Sequence, residues 1–255
     1  MNEKLSIGVL LHFALRFAFI VLRSSFCVHR FAFTVLLTLS CPWPRTLIMH
    51  DRTNSIEQFL SATAAKQPTP GGGSVAALAG ALAAAIGEMV LSYSLGKKDL
   101  VAFEPELKQA AHELQLAREM LLQLMVEDQE AYAELTAARK LPVDSADRQG
   151  RITAAVIACI RVPQAIGASA VSILLLCDRI VEKVNPWLLS DLAVCCDLAT
   201  ATARCASYNV RVNLNSVEDT HVRRDCQIEI EKILAHAIEL IQRVSPKIWQ
   251  KSNAV

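Results

Sequence analysis

The sequence has no C-x-x-C pair, no histidines spaced as metal ligands and, past Met49, no run with the period-two alternation of a half-buried strand. The first two omissions argue against a structural zinc site, and the third argues against a sheet. An excess of one charge is also missing. Lys plus Arg total 26 against 25 for Asp plus Glu, a formal net charge of +1, so no basic surface for nucleic acid is expected. The eight cysteines (Cys27, Cys41, Cys159, Cys177, Cys195, Cys196, Cys205 and Cys226) are scattered. Several lie in Ala- and Leu-rich runs, where a reduced thiol behaves as a small core hydrophobe, so a reducing cytoplasm fits better than a secreted disulfide scaffold.

Aromatic residues are few and unevenly placed: six of the eight phenylalanines lie between Phe13 and Phe33. Residues 1–48 hold one acidic residue, Glu3, and five basic ones, while the remainder holds 21 basic and 24 acidic residues, a formal charge of −3. Leu5 to Leu22 is apolar enough to resemble an anchor, but Arg16 interrupts it at a cost of about 2.5–3.5 kcal/mol near a bilayer centre. Met49 stands where the composition changes. The expectation is that 1–48 is a non-native extension from a start placed too early, or a disordered apolar leader, and that 49–255 is the working domain. A genuine membrane anchor is the alternative.

Past Met49 the sequence reads as about six helices in one all-α bundle. They are expected from about Ser55 to Ala64, Ser74 to Leu95, Pro105 to Lys140, Ala146 to Val184 (kinked or split at Pro163), Asp191 to Val210, and Glu218 to Val244. So many Ala-rich helices expose more apolar face than one small bundle covers, which favours a two-fold homodimer.

The most informative stretch is Pro68-Thr69-Pro70-Gly71-Gly72-Gly73-Ser74, which opens onto the small-residue run from Val75 to Ala85. A glycine turn at a helix N-terminus leaves outward N–H groups for an anion or carbonyl oxygen, and Ser74 is placed to cap the helix. A tight turn before a core helix is the plainer reading. Lys97 and Lys98 complement the negative end of that helix, or grip a carboxylate or phosphate. Asp191 opens a helix that is otherwise apolar, after the Asn185-Pro186 turn and Ser190; the dipole alone would also favour it there. Asn209, Arg211 and Asn213 alternate in a segment read as extended or helix-terminating, suited to the polar edge of a heterocycle or to a C-cap. Glu127-Asp128-Gln129-Glu130 reads as a solvated face, with Asp128 as a lesser site candidate. No bound metal is expected.

Taken together, the glycine loop, Leu95-Gly96-Lys97-Lys98, Asn185 with Ser190-Asp191, and Asn209-Val210-Arg211-Val212-Asn213-Leu214 resemble the cyclodeaminase domain of the formiminotransferase-cyclodeaminase family. That family includes stand-alone methenyltetrahydrofolate cyclohydrolases. The resemblance implies an all-α, oligomeric, metal-free enzyme with no bound cofactor, acting on a one-carbon tetrahydrofolate as substrate. It implies hydrolysis of 5,10-methenyltetrahydrofolate to 10-formyltetrahydrofolate, with formimino cyclodeamination and release of ammonia as the sister reaction. On this resemblance Asp191 is the acid–base residue, and Lys97 and Lys98 hold the glutamate-tail carboxylates. Gly71, Gly72, Gly73, Ser74, Asn185, Asn209, Arg211 and Asn213 contact the substrate or shape its pocket. Two positions depart from the family pattern: Glu88 replaces a small or apolar residue, and Gln164 stands where leucine is expected. The competing class is a non-catalytic helical interaction protein tethered by Leu5 to Leu22.

Overall fold

The computed structural model describes residues 52–253, and the expectations for 1–48 lie outside them. Six α-helices account for the described residues: α1 (Ile56–Ala64), α2 (Gly72–Ser92), α3 (Glu104–Arg139), α4 (Arg148–Ile180), α5 (Leu189–Leu214) and α6 (Thr220–Ser252). Short 3-10 turns, Lys98–Phe103 and Pro186–Leu188, precede α3 and α5. Helices α2, α3, α4 and α5 form a ring in which each packs on the next, and α6 lies across α4 and α5.

The short connections make ring neighbours antiparallel, as expected for a bundle of this kind. Cross-helix pairs fix the register: Met120 with Ser169 joins α3 to α4, Glu106 with Lys183 joins α3 to the turn after α4, and Cys177 with Cys195 joins α4 to α5. Helix α2 fits closely between α3 and α5 because its inner side is small. Ala76, Ala77, Gly80, Ala81, Ala83, Ala84 and Gly87 are all buried. A Cβ on Gly80 would lie 3.0 Å from Thr202 of α5 and 3.1 Å from Leu121 of α3, so a larger residue there would push both neighbours outward. Two helices, Gly72–Ser92 and Arg148–Ile180, are long and apolar enough to cross a membrane; most of each apolar window is buried against other helices of the bundle.

Several details of the elements sharpen or correct the expectation. Helix α4 runs unbroken through Pro163. Proline there leaves the carbonyl of Cys159 without its usual helical donor, and Asn213 of α5 donates its Nδ2 to that oxygen at 3.3 Å. Because Asn209, Arg211 and Asn213 lie inside α5, the segment is neither extended nor terminal before Leu214. Nor does Ser74 cap α2: Gly71 is the N-cap, and Ser74 sits in the first turn. Likewise Ser190 lies in the first turn of α5, behind Leu188 at the cap.

The two family departures have structural partners. Glu88 of α2 is forked by Arg118 of α3 at 2.6 and 3.2 Å, and this bond raises the Arg118 pKa further. Gln164 of α4 donates to the Cys226 carbonyl of α6 at 3.1 Å and accepts from Arg161 at 3.0 Å.

Candidate active site

The site residues named from the sequence sort to the two ends of α2, which its 21 residues separate by about 30 Å. Within one protomer the glycine loop therefore does not meet the lysines and Asp191, and a single cavity holding all three is ruled out for an isolated subunit.

The glycine end is built around Asp128, a residue of α3. Because α2 and α3 are antiparallel, the C-terminal half of α3 passes over the first turn of α2. Ser74 Oγ donates to Asp128 Oδ2 at 2.8 Å, and the Ser74 backbone N–H donates to the same carboxylate. A Cβ added to Gly73 would lie 2.0 Å from Asp128 Oδ1, so the carboxylate occupies the space that a side chain at 73 would need. Burial pushes the Asp128 pKa above the usual carboxylate range, and the two bonds from Ser74 oppose that shift. The preceding Glu127 is raised by burial as well; it accepts from Gln123, which in turn accepts from Arg52 at 2.9 Å.

Other elements close this end. From α4, Cys159 is 8% exposed, and burial with the Asp128 charge pushes its thiol up to about 11. From α5, Asn209 lies over Gly72, its Oδ1 3.2 Å from the place of a Cβ, while its Nδ2 bonds back to the Cys205 carbonyl at 2.9 Å. Asn213 spends its amide on the Cys159 and Asn209 carbonyls. Its donors support the backbone rather than a heterocycle. Arg211 points elsewhere: it lines a shallow groove of about 430 Å³ between α5 and α6, with Arg204, Tyr208, Leu234 and Ile238. The expectation that Arg211 joins Asn209 and Asn213 fails because residues two apart on a helix face nearly opposite ways.

The lysine end is more open. Lys97 caps the 3-10 turn, Lys98 is exposed, and Asp191 is half-buried in the first turn of α5. Neither lysine pairs with a carboxylate among the described residues. Asn185, only 5% exposed, is fully engaged: its N–H donates to Ser94 Oγ at 2.9 Å, its Nδ2 to the Tyr93 carbonyl at 3.4 Å, and its Oδ1 accepts from the Trp187 N–H. It ties the end of α2 to the turn before α5. Among the described residues no three His, Cys, Asp or Glu side chains gather as a metal site.

Chemically, the glycine end offers a half-buried carboxyl whose proton affinity is raised by desolvation, facing the positive end of a helix. The lysine end offers mobile cations in water. A further feature links the two. On α2, Val75, Leu82 and Met89 are 40%, 52% and 37% exposed at seven-residue intervals, and Tyr93 continues the stripe; Val194, Tyr208 and Val212 are exposed on α5. A heptad spacing of this kind is the seam of a helix that packs on another helix.

The comparisons with known proteins agree with this architecture. Residues 55–232 match the formiminotransferase-cyclodeaminase family. The chain is 33% identical over 203 residues to methenyltetrahydrofolate cyclohydrolase of Methylorubrum extorquens, covering 78% of this chain and 98% of that protein. It is 26% identical over 189 residues to the formimidoyltransferase-cyclodeaminase of Gallus gallus, covering 72% of this chain but 35% of that longer protein. The crystal structure of formiminotetrahydrofolate cyclodeaminase from Thermotoga maritima superposes with a TM-score of 0.73 at 28% identity, over 78% of this chain and 97% of that one. With the family matched over most of the described residues, the chain belongs to the formiminotransferase-cyclodeaminase family.

Proposed function

We propose that this chain is a folate one-carbon enzyme that hydrolyses 5,10-methenyltetrahydrofolate to 10-formyltetrahydrofolate, with Asp128 as the acid–base residue. The observation that carries this reading is the half-buried Asp128 carboxylate held by Ser74 over the glycine turn. The bridging carbon of the substrate belongs to an amidinium cation. Water adds to it as a base takes one proton, and the C–N bond on the pterin side then breaks as that nitrogen is protonated. One carboxyl whose proton affinity is raised by burial can perform both transfers, and its negative charge stabilises the cation before attack. Asp128 thus takes the role that the sequence assigned to Asp191, which lies at the other end of α2.

The working unit is a homodimer built on the exposed stripes of α2 and α5. A two-fold axis across the middle of α2 sets the two copies of that helix antiparallel, and an isologous contact of this kind brings the glycine end of one subunit to the lysine end of the other. The lysines then reach the glutamate-tail carboxylates of a substrate whose reacting carbon sits at Asp128. The tetrahydrofolate derivative is substrate, and no resident cofactor or metal is part of this proposal.

The stand-alone relative from Methylorubrum extorquens, matched over 98% of its length, favours the cyclohydrolase. The Thermotoga maritima structure favours cyclodeamination, in which the second folate nitrogen attacks a formimino carbon and ammonia leaves. Incubating the purified full chain with each folate separates them: loss of methenyl absorbance supports the first, ammonia release supports the second, and neither removes the enzyme reading.

A further inference from the structure

The buried hydroxyls of this bundle share a habit that Ser74 breaks. Ser169, Ser172, Thr202 and Ser207 each donate to a carbonyl three or four residues back on their own helix, as does Ser94 just past the end of α2, and Ser169 also approaches Met120 Sδ of α3. Such bonds are the default for a hydroxyl in a helix. Ser74 is 0% exposed, yet its hydroxyl turns outward to a carboxylate on a different helix, 54 residues away in sequence. Its backbone N–H, one of the first-turn donors of α2 without a helical acceptor, goes to the same group. Two donors from one residue on one carboxylate fix its plane as well as its place.

The surroundings make that contact decisive. No other side chain of the first turn of α2 is polar. Helix α4 presents Cys159, whose thiol is held neutral, and α5 presents the uncharged Asn209 and Asn213. On α3 itself Glu127 and Glu130 are near neighbours in sequence, and Arg139 reaches the Cys159 side of the cluster. Among the described residues, Ser74 supplies the side-chain hydrogen bond that Asp128 receives.

We propose that Ser74 is a positioning residue, not a substrate ligand: it locks the Asp128 carboxylate over Gly73 and sets the proton occupancy with which Asp128 meets the substrate. The claim rests on the reading of Asp128 as the acid–base group. It predicts that the hydroxyl matters through Asp128 alone.

The sign is defined. A donor to the ionised carboxylate favours that form, so removing the hydroxyl moves the Asp128 titration upward. The experiment uses the full chain labelled with 13C-carboxyl aspartate, with Asp128→Asn to assign the resonance, and compares wild type, Ser74→Ala and Ser74→Thr. The expected result is an upward move of the Asp128 midpoint by about one pH unit in Ser74→Ala, with most of the shift recovered in Ser74→Thr. In parallel, the rising limb of kcat against pH moves by the same amount while KM for methenyltetrahydrofolate stays within about twofold. An unchanged midpoint in a folded Ser74→Ala protein overturns the proposal, as does a rise in KM with an unchanged pH profile. If the midpoint moves but no variant and no wild type turns over either folate, the anchor stands and the enzyme reading falls.

Discussion

The two ends of α2 use opposite physics. At Gly71–Ser74 the chain removes side chains so that a carboxylate can approach the backbone, and the group is partly withdrawn from water. At Lys97 and Lys98 the charged groups stay solvated next to a turn pinned by Asn185. On the proposed reading, the carboxyl with raised proton affinity does the acid–base work and the solvated ammonium groups capture a charge without reacting. The proposed division separates chemistry from recognition along one helix, and the proposed homodimer would complete each site from two subunits.

The comparison breaks first at Asp128. Asp128→Asn keeps the acceptor for Ser74 but cannot carry the proton, so kcat is expected to fall by about 10²–10⁴-fold. Gly73→Ala comes next: its Cβ would stand 2.0 Å from Oδ1, forcing the carboxylate off its mark, with a loss of about 10²-fold in kcat at little change in melting temperature. Leu82→Glu tests the seam that joins the ends. The variant is expected to run as a monomer in analytical ultracentrifugation and to lose activity at low protein concentration, while its circular dichroism stays helical. Replacing both Lys97 and Lys98 by Ala should raise KM about tenfold with kcat nearly unchanged, since charge-assisted bonds to the tail are made equally before and during reaction.

The smallest effect concerns stability. Asp128 has a folded pKa raised above its unfolded value, so its ionisation opposes folding at neutral pH. That penalty disappears as pH falls through the folded value. Asp128→Asn is therefore expected to melt a few degrees above wild type at pH 8, with the gain shrinking toward acid pH.

Much of this was legible in the sequence. The small-residue run of α2 and the start of the first helix at Ser55 follow from the sequence and appear as expected. Between one kinked helix and two at Pro163 the sequence left the choice open, because the compensating donor, Asn213, comes from 50 residues downstream. Nor was the true partner of Ser74, since a cap and a cross-helix bond ask for the same residue type. The run Glu127 to Glu130 carried a signal that a count of charges hides: four consecutive residues sweep about 300° around a helix, so they cannot share one solvated face. Gln129 is in fact 0% exposed and Asp128 is turned to the glycine loop. Arg211 and Asn209 were grouped by proximity in sequence, where helical phase divides them between the α5–α6 groove and Gly72.

Steady-state hydrolysis of 5,10-methenyltetrahydrofolate by Asp128→Asn and Asp191→Asn, measured side by side, tests the division of labour most directly. The account predicts a collapse of kcat in the Asp128 variant and a change within about twofold in the Asp191 variant. A fully active Asp128→Asn enzyme beside an inactive Asp191→Asn one would contradict it.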